Sequence, residues 1–355
     1  MDIKKKLKIF KDEFDVILKA FLDKRVDEVS EQDQLVIGVL KHVNKITLSG
    51  GKRLRPALMY YGYLAAGGSK DEKIMKAVIS IELLQSFLLI HDDIIDRDDK
   101  RHGVTTTHVK YAELGRKINL KKDHQHFGNS IAIIAGDMLH AMASMALYNS
   151  GFSAELILKA LNNLQSIVAV TIVGEAQDVH IEYRGKATEE EVIEVYRNKT
   201  AKYTIEGPLH TGAILAGGDS ELLKGFTELA IPLGIAFQIQ DDILGVFGSE
   251  KKIGKPLGSD IEEGKQTILV VKALELGNSE QRKIVSNLLG KKNLSVDEIE
   301  RFKLAINESG ALEYSKNLAE KYILEGKKEV EKLEIPKEPN DFLIGIADYM
   351  ANREL

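Results

Sequence analysis

The sequence predicts an all-α protein built as a single domain of ten or more helices. Apolar residues recur at helical spacing in nearly every segment, and alternation typical of strands is rare. Only six prolines occur, and several of them lie at predicted helix boundaries. The sequence contains no proline- or glycine-rich linker, no low-complexity tract and no internal repeat. These observations favour one helical domain over residues 1–355.

The helical spacing also gives the order of the elements. The first apolar stripe consists of Leu7, Phe10, Phe14, Ile17, Leu18 and Phe21. Helices are predicted at about 7–22, 32–48, 56–66, 71–97, 129–149, 153–183, 189–217, 221–247, 266–277, 295–307 and 311–333. Two joints, 114–129 and 248–267, are predicted to be long basic loops, and long loops in compact domains are usually functional or mobile.

The composition excludes several classes of protein. The chain has 355 residues, of which 44% are hydrophobic and 29% charged, with a net charge of −5, as in soluble globular proteins. This slight acidity argues against a nucleic-acid-binding surface. Because there is no cysteine, disulfides and thiolate metal sites are excluded. The beginning of the chain lacks an apolar signal-peptide core, and no uninterrupted apolar run reaches the length of a membrane span. We therefore expect a cytoplasmic protein without a transmembrane segment.

A first cluster of acidic residues ends an apolar helix in the stretch "LLIHDDIIDRDDKRHG", residues 88–103. Asp92 and Asp96 lie one turn apart on the same helical face, and Asp93 lies beside them. The helix macrodipole disfavours acids at this end. A single cluster of this kind is most simply interpreted as a solvated helix end.

A second pair of acids makes solvation a poor explanation for both. Asp241 and Asp242 also come near the end of an apolar helix, in "LAIPLGIAFQIQDDILGVFG", residues 229–248. Mg²⁺ takes oxygen ligands and is typically held by one or two carboxylates together with substrate phosphates. The two aspartate pairs therefore predict a diphosphate bound through several Mg²⁺ ions.

Basic residues are placed to bind the same kind of anion. The segment "GGKRLRPAL", residues 50–58, supplies Lys52, Arg53 and Arg55 at the expected start of a helix, where backbone N–H groups also favour anions. No Ser or Thr follows Lys52, so the segment is not a Walker A loop. Further cations follow the acidic motifs at Lys100, Arg101, His102, Lys255 and Lys265. The sequence thus offers two anion sites.

These motifs, taken in order, resemble those of the trans-isoprenyl diphosphate synthases. The matching segments are "GGKRLRP", "HDDIID…RHG", "GD" at 136–137, "NKT" at 198–200, "FQIQDDILG", "GK" at 254–255 and "GKQT" at 264–267. The resemblance implies long helices around a deep central cavity, a homodimer, and two or three Mg²⁺ ions in each active site. It also implies that an allylic diphosphate (dimethylallyl, geranyl or farnesyl) is ionised and coupled to isopentenyl diphosphate.

The resemblance assigns roles to individual positions. The metal-binding residues would be Asp92, Asp93, Asp96, Asp241 and Asp242. The isopentenyl diphosphate site would contain Lys52, Arg55, Gln85 and His102. The allylic diphosphate site would contain Arg101, Lys199, Thr200, Gln238, Lys255 and Lys265. Among these, the resemblance makes Lys199, Thr200 and Gln238 catalytic, because their dipoles would face the developing carbocation.

Three positions distinguish this chain within the family pattern. Gly245 stands where the second motif normally has a third aspartate, and His102 stands where an arginine is usual. In the family, residues four and five places before the first aspartate determine product length, and here these are Leu88 and Phe87. One aromatic residue at the fifth place resembles archaeal-type geranylgeranyl diphosphate synthases. We therefore expect a product of twenty carbons, made in isoprenoid biosynthesis.

Other interpretations remain open at this stage. The chain could make farnesyl or longer-chain polyprenyl diphosphates, or could be a non-catalytic subunit of a heteromeric synthase. A terpene cyclase would need neither Lys52 nor Arg55 and would carry a different second metal motif. The histidines of "DHQHF", residues 123–127, are expected in a solvated loop, and His91 could make a structural hydrogen bond or serve catalysis.

Overall fold

A computed structural model describes residues 2–29, 33–248 and 258–351. Its regular structure is helical except for one short antiparallel hairpin, so the all-α prediction is confirmed. The chain divides into two compact units. One unit comprises Met1–Tyr60 with Ser69–Leu161, and the other comprises Tyr61–Gly68 with Asn162–Leu355.

The first unit is built around two long helices, Ile79–Ile95 and His124–Tyr148, which pack against each other, and the helix Thr107–Lys117 also packs against the second of them. Its elements are α1 (Ile3–Glu28), α2 (Gln34–Ser49), the start of α3 (Leu54–Ala65), α4 (Glu72–Ala77), α5 (Ile79–Ile95), β1 (Lys100–Arg101), β2 (Val104–Thr105), α6 (Thr107–Lys117), α7 (His124–Tyr148) and the start of α8 (Ala154–Arg184). The backbones of α6 and α7 touch at Gly128, where a Cβ would overlap the carbonyl of His108.

The end of α5 is shaped so that the chain turns back on itself. Asp96 caps the helix, and Arg97 follows in a left-handed conformation with φ of 61°. The hairpin then pairs Lys100 with Thr105 and Arg101 with Val104. As a result, the basic residues that follow the first aspartate motif return to the end of the helix that carries it.

The second unit is centred on α11, which packs against both a π-helix and α16. After α8 its elements are α9 (Glu189–Val195), the π-helix (Tyr196–Glu206), α10 (Gly207–Leu215), α11 (Ser220–Phe247), α12 (Ser259–Glu263), α13 (Ile268–Leu276), α14 (Ser279–Leu288), α15 (Val296–Glu308), α16 (Ala311–Glu331) and α17 (Lys337–Ala351). Gly234 permits the close approach of α11 to the π-helix, because a Cβ there would overlap Ala201.

The prediction of a long loop at 114–129 is wrong. Helix α6 continues to Lys117 and α7 begins at His124, so the connection is short. Asp123 caps α7 by accepting hydrogen bonds from the backbone N–H groups of Gln125 and His126. The polar residues that resembled a loop are the exposed first turn of a helix. The histidines of "DHQHF" therefore do not lie in a loop.

Among the described residues, four helical segments are long and apolar enough to cross a membrane by length and composition alone: 72–95, 124–148, 154–184 and 220–247. They mix apolar with polar positions, unlike the uninterrupted apolar runs that the sequence lacks, and the expectation of no transmembrane segment stays a prediction. Burial differs among them, since 67% of the apolar window is buried in 72–95 but only 28% in 154–184. Helix α8 therefore leaves much of its apolar surface exposed.

Candidate active site

The first aspartate motif forms an ion-pair cluster at the end of α5. The guanidinium of Arg101 donates from Nε to Oδ1 of Asp93 at 2.7 Å. Its Nη2 donates to Asp92 and to Asp98, each at 3.2 Å. Asp93 is only 1% exposed, and Asp96 lies partly exposed at the helix cap. Arg101 is therefore the counter-ion of this cluster.

Within this cluster the pKa values of Asp93 and Arg101 are shifted. Desolvation raises the pKa of Asp93 to about 6, although Arg101 opposes the shift. Burial acts to lower the pKa of Arg101, but the carboxylates of Asp93, Asp92 and Asp98 raise it overall, so this side chain stays charged. The second oxygen of Asp93, Oδ2, is buried and accepts no hydrogen bond within the described residues. Such an orphaned oxygen fits a site that receives a further cation.

The "GGKRLRP" loop presents its three cations differently. Arg53 is buried, donates from Nε to Asp15 at 2.7 Å, and pairs with Glu82 of α5. Lys52 is exposed, and Arg55 is partly exposed. Arg53 therefore holds the loop against α1 and α5, while Lys52 and Arg55 remain the candidates for binding an anion.

His102 lies against this loop. A Cβ on Gly50 would overlap the imidazole ring of His102, so the glycine makes room for the ring. His102 has a left-handed backbone, with φ of 50°. Burial lowers its pKa, and the charges of Arg101 and Arg53 lower it further. The imidazole is thus neutral near pH 7, unlike the arginine that the family usually has here.

Gln85 lies on the α5 face that carries the aspartates. It is partly exposed, as are Leu88 and Asp92 further along the same stripe. Phe87 lies on another face, which packs against α7. The centroid of its ring is 4.9 Å from that of His91 and 5.2 Å from that of His140.

The neighbouring His91 makes a structural contact. Its Nε2 lies 3.1 Å from the carbonyl oxygen of Ile133 in α7. A Cβ on Gly136 would overlap the same imidazole ring. Of the two interpretations left open by the sequence, the structural hydrogen bond is the one that this geometry supports.

In the second aspartate motif, Asp242 accepts hydrogen bonds from two neutral donors. Asp242 is buried, and its Oδ1 accepts from Nε2 of Gln238 at 2.8 Å. Its Oδ2 accepts from the phenol of Tyr196. Burial raises the pKa of Asp242 to about 8, because these hydrogen bonds offset the desolvation only in part. Asp241 is partly exposed. Tyr196 was not identified from the sequence, since no motif includes it.

A third carboxylate reaches the place of the missing aspartate. A Cβ on Gly245 would overlap Oδ2 of Asp260, which comes from α12. Asp260 therefore occupies the space in which an aspartate side chain at 245 would begin. This arrangement fits a cation site beside Asp241, one helical turn before Gly245.

The residues of "NKT" bind to acids and amides in the second unit. Lys199 donates from Nζ to Asp178 at 2.7 Å and pairs with Glu175 at 2.8 Å. Thr200 donates from Oγ1 to Oε1 of Gln238 at 2.7 Å. The close packing requires Gly174, where a Cβ would overlap the backbone nitrogen of Lys199. The structure thus brings Thr200, Gln238 and Asp242 into one hydrogen-bonded series.

The remaining basic candidates are less informative. Lys265 pairs with Glu263 at 2.9 Å. Lys255, with the whole segment 249–257, lies outside the described residues. Within the described ranges, no three His, Asp or Glu side chains are placed to hold a metal ion by themselves. Such a site still suits Mg²⁺, which commonly takes the rest of its ligands from water and substrate phosphates.

Comparisons with known proteins agree with this geometry. The family model described as polyprenyl synthetase matches residues 38–306. The chain is 38% identical to a geranylgeranyl diphosphate synthase of Saccharolobus solfataricus, over 77% of each protein. It is 36% identical to a geranylfarnesyl diphosphate synthase of Aeropyrum pernix, over 86% of this chain and 91% of that protein.

A solved structure extends the likeness to nearly the whole chain. It is a geranylgeranyl pyrophosphate synthase of Corynebacterium glutamicum, complexed with isoprenyl diphosphate and magnesium. The TM-score is 0.91 at 34% identity, covering 97% of this chain and 99% of that one. The protein therefore belongs to the polyprenyl synthetase family and is a trans-prenyltransferase.

Proposed function

We propose that this prenyltransferase condenses isopentenyl diphosphate with allylic diphosphates to form geranylgeranyl diphosphate. The observation that carries the proposal is the hairpin of the first unit. Arg101 bonds to the aspartate cluster, and the adjacent His102 packs on Gly50 of the "GGKRLRP" loop. A metal-diphosphate site and a second anion site are thereby joined by two consecutive residues. This is the arrangement that a condensation of two diphosphates needs.

The allylic diphosphate would be bound mainly through metal ions. The proposed ligands are Asp92, Asp93, Asp96, Asp241 and Asp242, with Asp260 completing the second motif in place of the residue missing at Gly245. The orphaned Oδ2 of Asp93 supports this assignment. When bound, two or three Mg²⁺ ions would neutralise the charge that develops on the leaving diphosphate. Arg101, Lys265 and Lys255 would bind the diphosphate oxygens.

The two substrates would be bound by different groups. Isopentenyl diphosphate would be bound by Lys52, Arg55, Gln85 and His102, which would position its double bond as the nucleophile. Lys199, Thr200 and Gln238 would present their dipoles to the allylic cation. The proton lost after alkylation would pass to the departing diphosphate.

The product length rests on Phe87 and on the names of the relatives. A single aromatic residue before the first aspartate, together with the Saccharolobus relative, supports a twenty-carbon product. A twenty-five-carbon product is the second candidate. It is favoured by the Aeropyrum relative and by the placement of Phe87 against α7, away from the face that carries Asp92.

We further propose that the protein acts as a cytoplasmic homodimer whose chain forms one functional domain around a deep central cavity. Helices α7 and α8 each expose large apolar side chains. These are Ile133, Ile134, Met145 and Tyr148 on α7, and Leu158, Ile172, Val173 and Tyr183 on α8. Large apolar side chains exposed on a helix commonly mark a protein interface. A second copy of the chain is the proposed occupant.

The purified chain should be incubated alone with Mg²⁺, isopentenyl diphosphate and farnesyl diphosphate. We expect release of inorganic diphosphate and a twenty-carbon product on chromatography. EDTA should abolish both signals. If the chain folds and dimerises but releases no diphosphate with any allylic substrate, it is a non-catalytic subunit. A twenty-five-carbon product would assign the second candidate instead.

A further inference from the structure

Tyr196 has a place in the second unit that none of the motifs assigns. It is the first residue of the π-helix and is 5% exposed, in a cluster that includes Ile239 and Ile243 of α11. Its hydroxyl accepts a hydrogen bond from the backbone N–H of Ile268 at 3.2 Å. The same hydroxyl donates to Oδ2 of Asp242. A single oxygen therefore connects the π-helix, α11 and the start of α13.

The contact with Asp242 has consequences for the neighbouring amide. With Oδ2 occupied by the phenol, Oδ1 accepts from Nε2 of Gln238 at 2.8 Å. Because an ionised carboxylate only accepts, Gln238 turns its NH₂ group to Asp242 and its carbonyl away. A bound cation would keep Asp242 in this ionised form. Oε1 of Gln238 is then the acceptor for Thr200, whose Oγ1 donates to it at 2.7 Å. Each partner in the series thus determines the orientation of the next.

The orientation of Thr200 matters for the chemistry. Because the hydroxyl of Thr200 donates its proton to Gln238, the lone pairs of Oγ1 form the end of the hydroxyl dipole that faces away from Gln238. That end is negative, which is the polarity that stabilises a neighbouring carbocation. If Gln238 rotated by half a turn, its NH₂ group would face Thr200 and the hydroxyl proton would be released to point elsewhere.

Tyr196 and Thr200 are four residues apart, so they lie on the same face of the helical segment and both reach α11. The backbones of the π-helix and α11 meet at Gly234 and Ala201. π-Helical segments are rare and frequently occur at functional sites. Tyr196 begins the segment that carries the residues of "NKT".

We propose that Tyr196 is a positioning residue for prenyl transfer: through Asp242 it holds the amide of Gln238 and the hydroxyl of Thr200 in the orientation that favours the allylic cation. This inference rests on the proposed function. Tyr196 itself touches neither substrate nor metal in this scheme. Its effect is therefore on the reaction of the bound substrate and not on binding of isopentenyl diphosphate.

The test is Tyr196→Phe, which removes the hydroxyl and keeps the ring in its apolar surroundings. We expect kcat to fall about ten-fold, with KM for isopentenyl diphosphate changed less than about two-fold, because the binding groups stay in place. Tyr203→Phe is the matched control. Tyr203 is a buried tyrosine of the same π-helix, and its hydroxyl is not among the donors to Asp242 or Gln238. This control should retain the parent kcat.

A double-mutant cycle separates positioning from a loss of packing. If Tyr196 acts through the amide, Tyr196→Phe should change kcat by less than about two-fold in a Gln238→Ala background. An equal ten-fold loss in both backgrounds would overturn the proposal, and so would a parent-like kcat in the single variant. Should Tyr196→Phe not fold, Tyr196→Met carries the same cycle, since Met adapts to an apolar site. An inactive parent chain would refute the proposed function. An active parent chain in which the cycle shows no coupling between Tyr196 and Gln238 would refute only this inference.

Discussion

The two aspartate motifs have the same appearance in the sequence but different surroundings in the structure. In the first, at the end of α5, a guanidinium lies among the carboxylates of Asp92, Asp93 and Asp98. In the second, near the end of α11, Asp242 is held by a phenol and an amide. The carboxylate of Asp93 is thus paired with a formal positive charge, whereas that of Asp242 accepts from neutral hydrogen-bond donors.

The two kinds of hydrogen-bond partner are accompanied by different pKa values of the buried acids. Both acids are buried, yet the pKa of Asp93 rises only to about 6, whereas that of Asp242 rises to about 8. Arg101 opposes the desolvation of Asp93, whereas at Asp242 two neutral donors lower the pKa and the charges of Asp260 and Asp241 raise it. The carboxylate of Asp93 is therefore mostly ionised near pH 7, and that of Asp242 becomes fully ionised there only when a cation binds.

The largest expected effect is the loss of activity when either motif loses a carboxylate. Asp92→Ala and Asp241→Ala should each reduce turnover by about two orders of magnitude or more, because charge stabilisation by a bound metal is worth several kcal/mol. Asp99→Ala is the matched control, since Asp99 is an exposed acid of the same segment outside the motif. Steady-state kinetics with saturating Mg²⁺ provides the measurement. Turnover of Asp92→Ala within a few-fold of the parent would refute the metal assignment.

Removing the guanidinium of Arg101 should lower the free energy of unfolding more than removing the hydroxyl of Tyr196 does. Arg101→Gln leaves the buried carboxylate of Asp93 without its cation and should lower the free energy of unfolding by about 3 kcal/mol. Tyr196→Phe removes one neutral donor from Asp242 and should cost about 1–2 kcal/mol. Urea titrations at pH 7 in EDTA measure both changes. Equal losses would show that the two kinds of neutralisation do not differ.

The pH dependence of stability should distinguish the motifs further. An acid whose pKa is higher in the folded state than in the unfolded state, about 3.9, releases its proton on unfolding. Stability in EDTA should therefore fall as pH rises, through Asp93 up to about pH 6 and through Asp242 up to about pH 8. Asp93→Asn should flatten the lower part of the curve, and Asp242→Asn should flatten the part above pH 6. A curve that both variants leave unchanged would contradict these shifts.

Substitution of Phe87, which lies on the same helix as the first aspartate motif, tests what limits the length of the product. Phe87→Ala should shift the products toward longer chains, because the aromatic ring would no longer limit the elongating chain. Leu88→Ala is the comparison, since Leu88 lies on the stripe shared with Asp92. Chromatography of the dephosphorylated products gives the distribution. If only Leu88→Ala lengthens the product, the limit lies on the aspartate face and not at the contact with α7.

The smallest effect is expected from His102. Its pKa is lowered by burial and by Arg101 and Arg53, and a bound diphosphate should raise it. Binding is then tightest below the lowered pKa and weakens as pH rises through the pKa of the complex. KM for isopentenyl diphosphate should accordingly rise a few-fold as pH rises from the lowered pKa of the free enzyme through the pKa of the complex, and His102→Arg should flatten this rise. KM for the allylic substrate should change less. Curves that do not respond to pH in either protein would leave His102 without a role in binding.

Much of the architecture follows from local patterns. The long helices were predictable because apolar spacing depends only on near neighbours along the chain. The helices at 107–117, 259–263, 279–288 and 337–351 were not predicted, and the predicted helix 189–217 is interrupted by a π-helix. Polar first turns such as that after Asp123 look like loops until a cap and a packing partner are known.

The sequence by itself determined the fold class and the reaction type, because the aspartate pairs, the "GGKRLRP" loop and the residues of "NKT" are local motifs. Only the tertiary structure decided how each group is held. Tyr196 meets Asp242 and Ile268, which are 46 and 72 residues away along the chain. Asp260 fills the space beside Gly245, and Arg53 turns inward to Asp15 and Glu82. Periodicity indicates which face of a helix is buried, but the partner on that face depends on long-range packing, which leaves no local signal in the sequence.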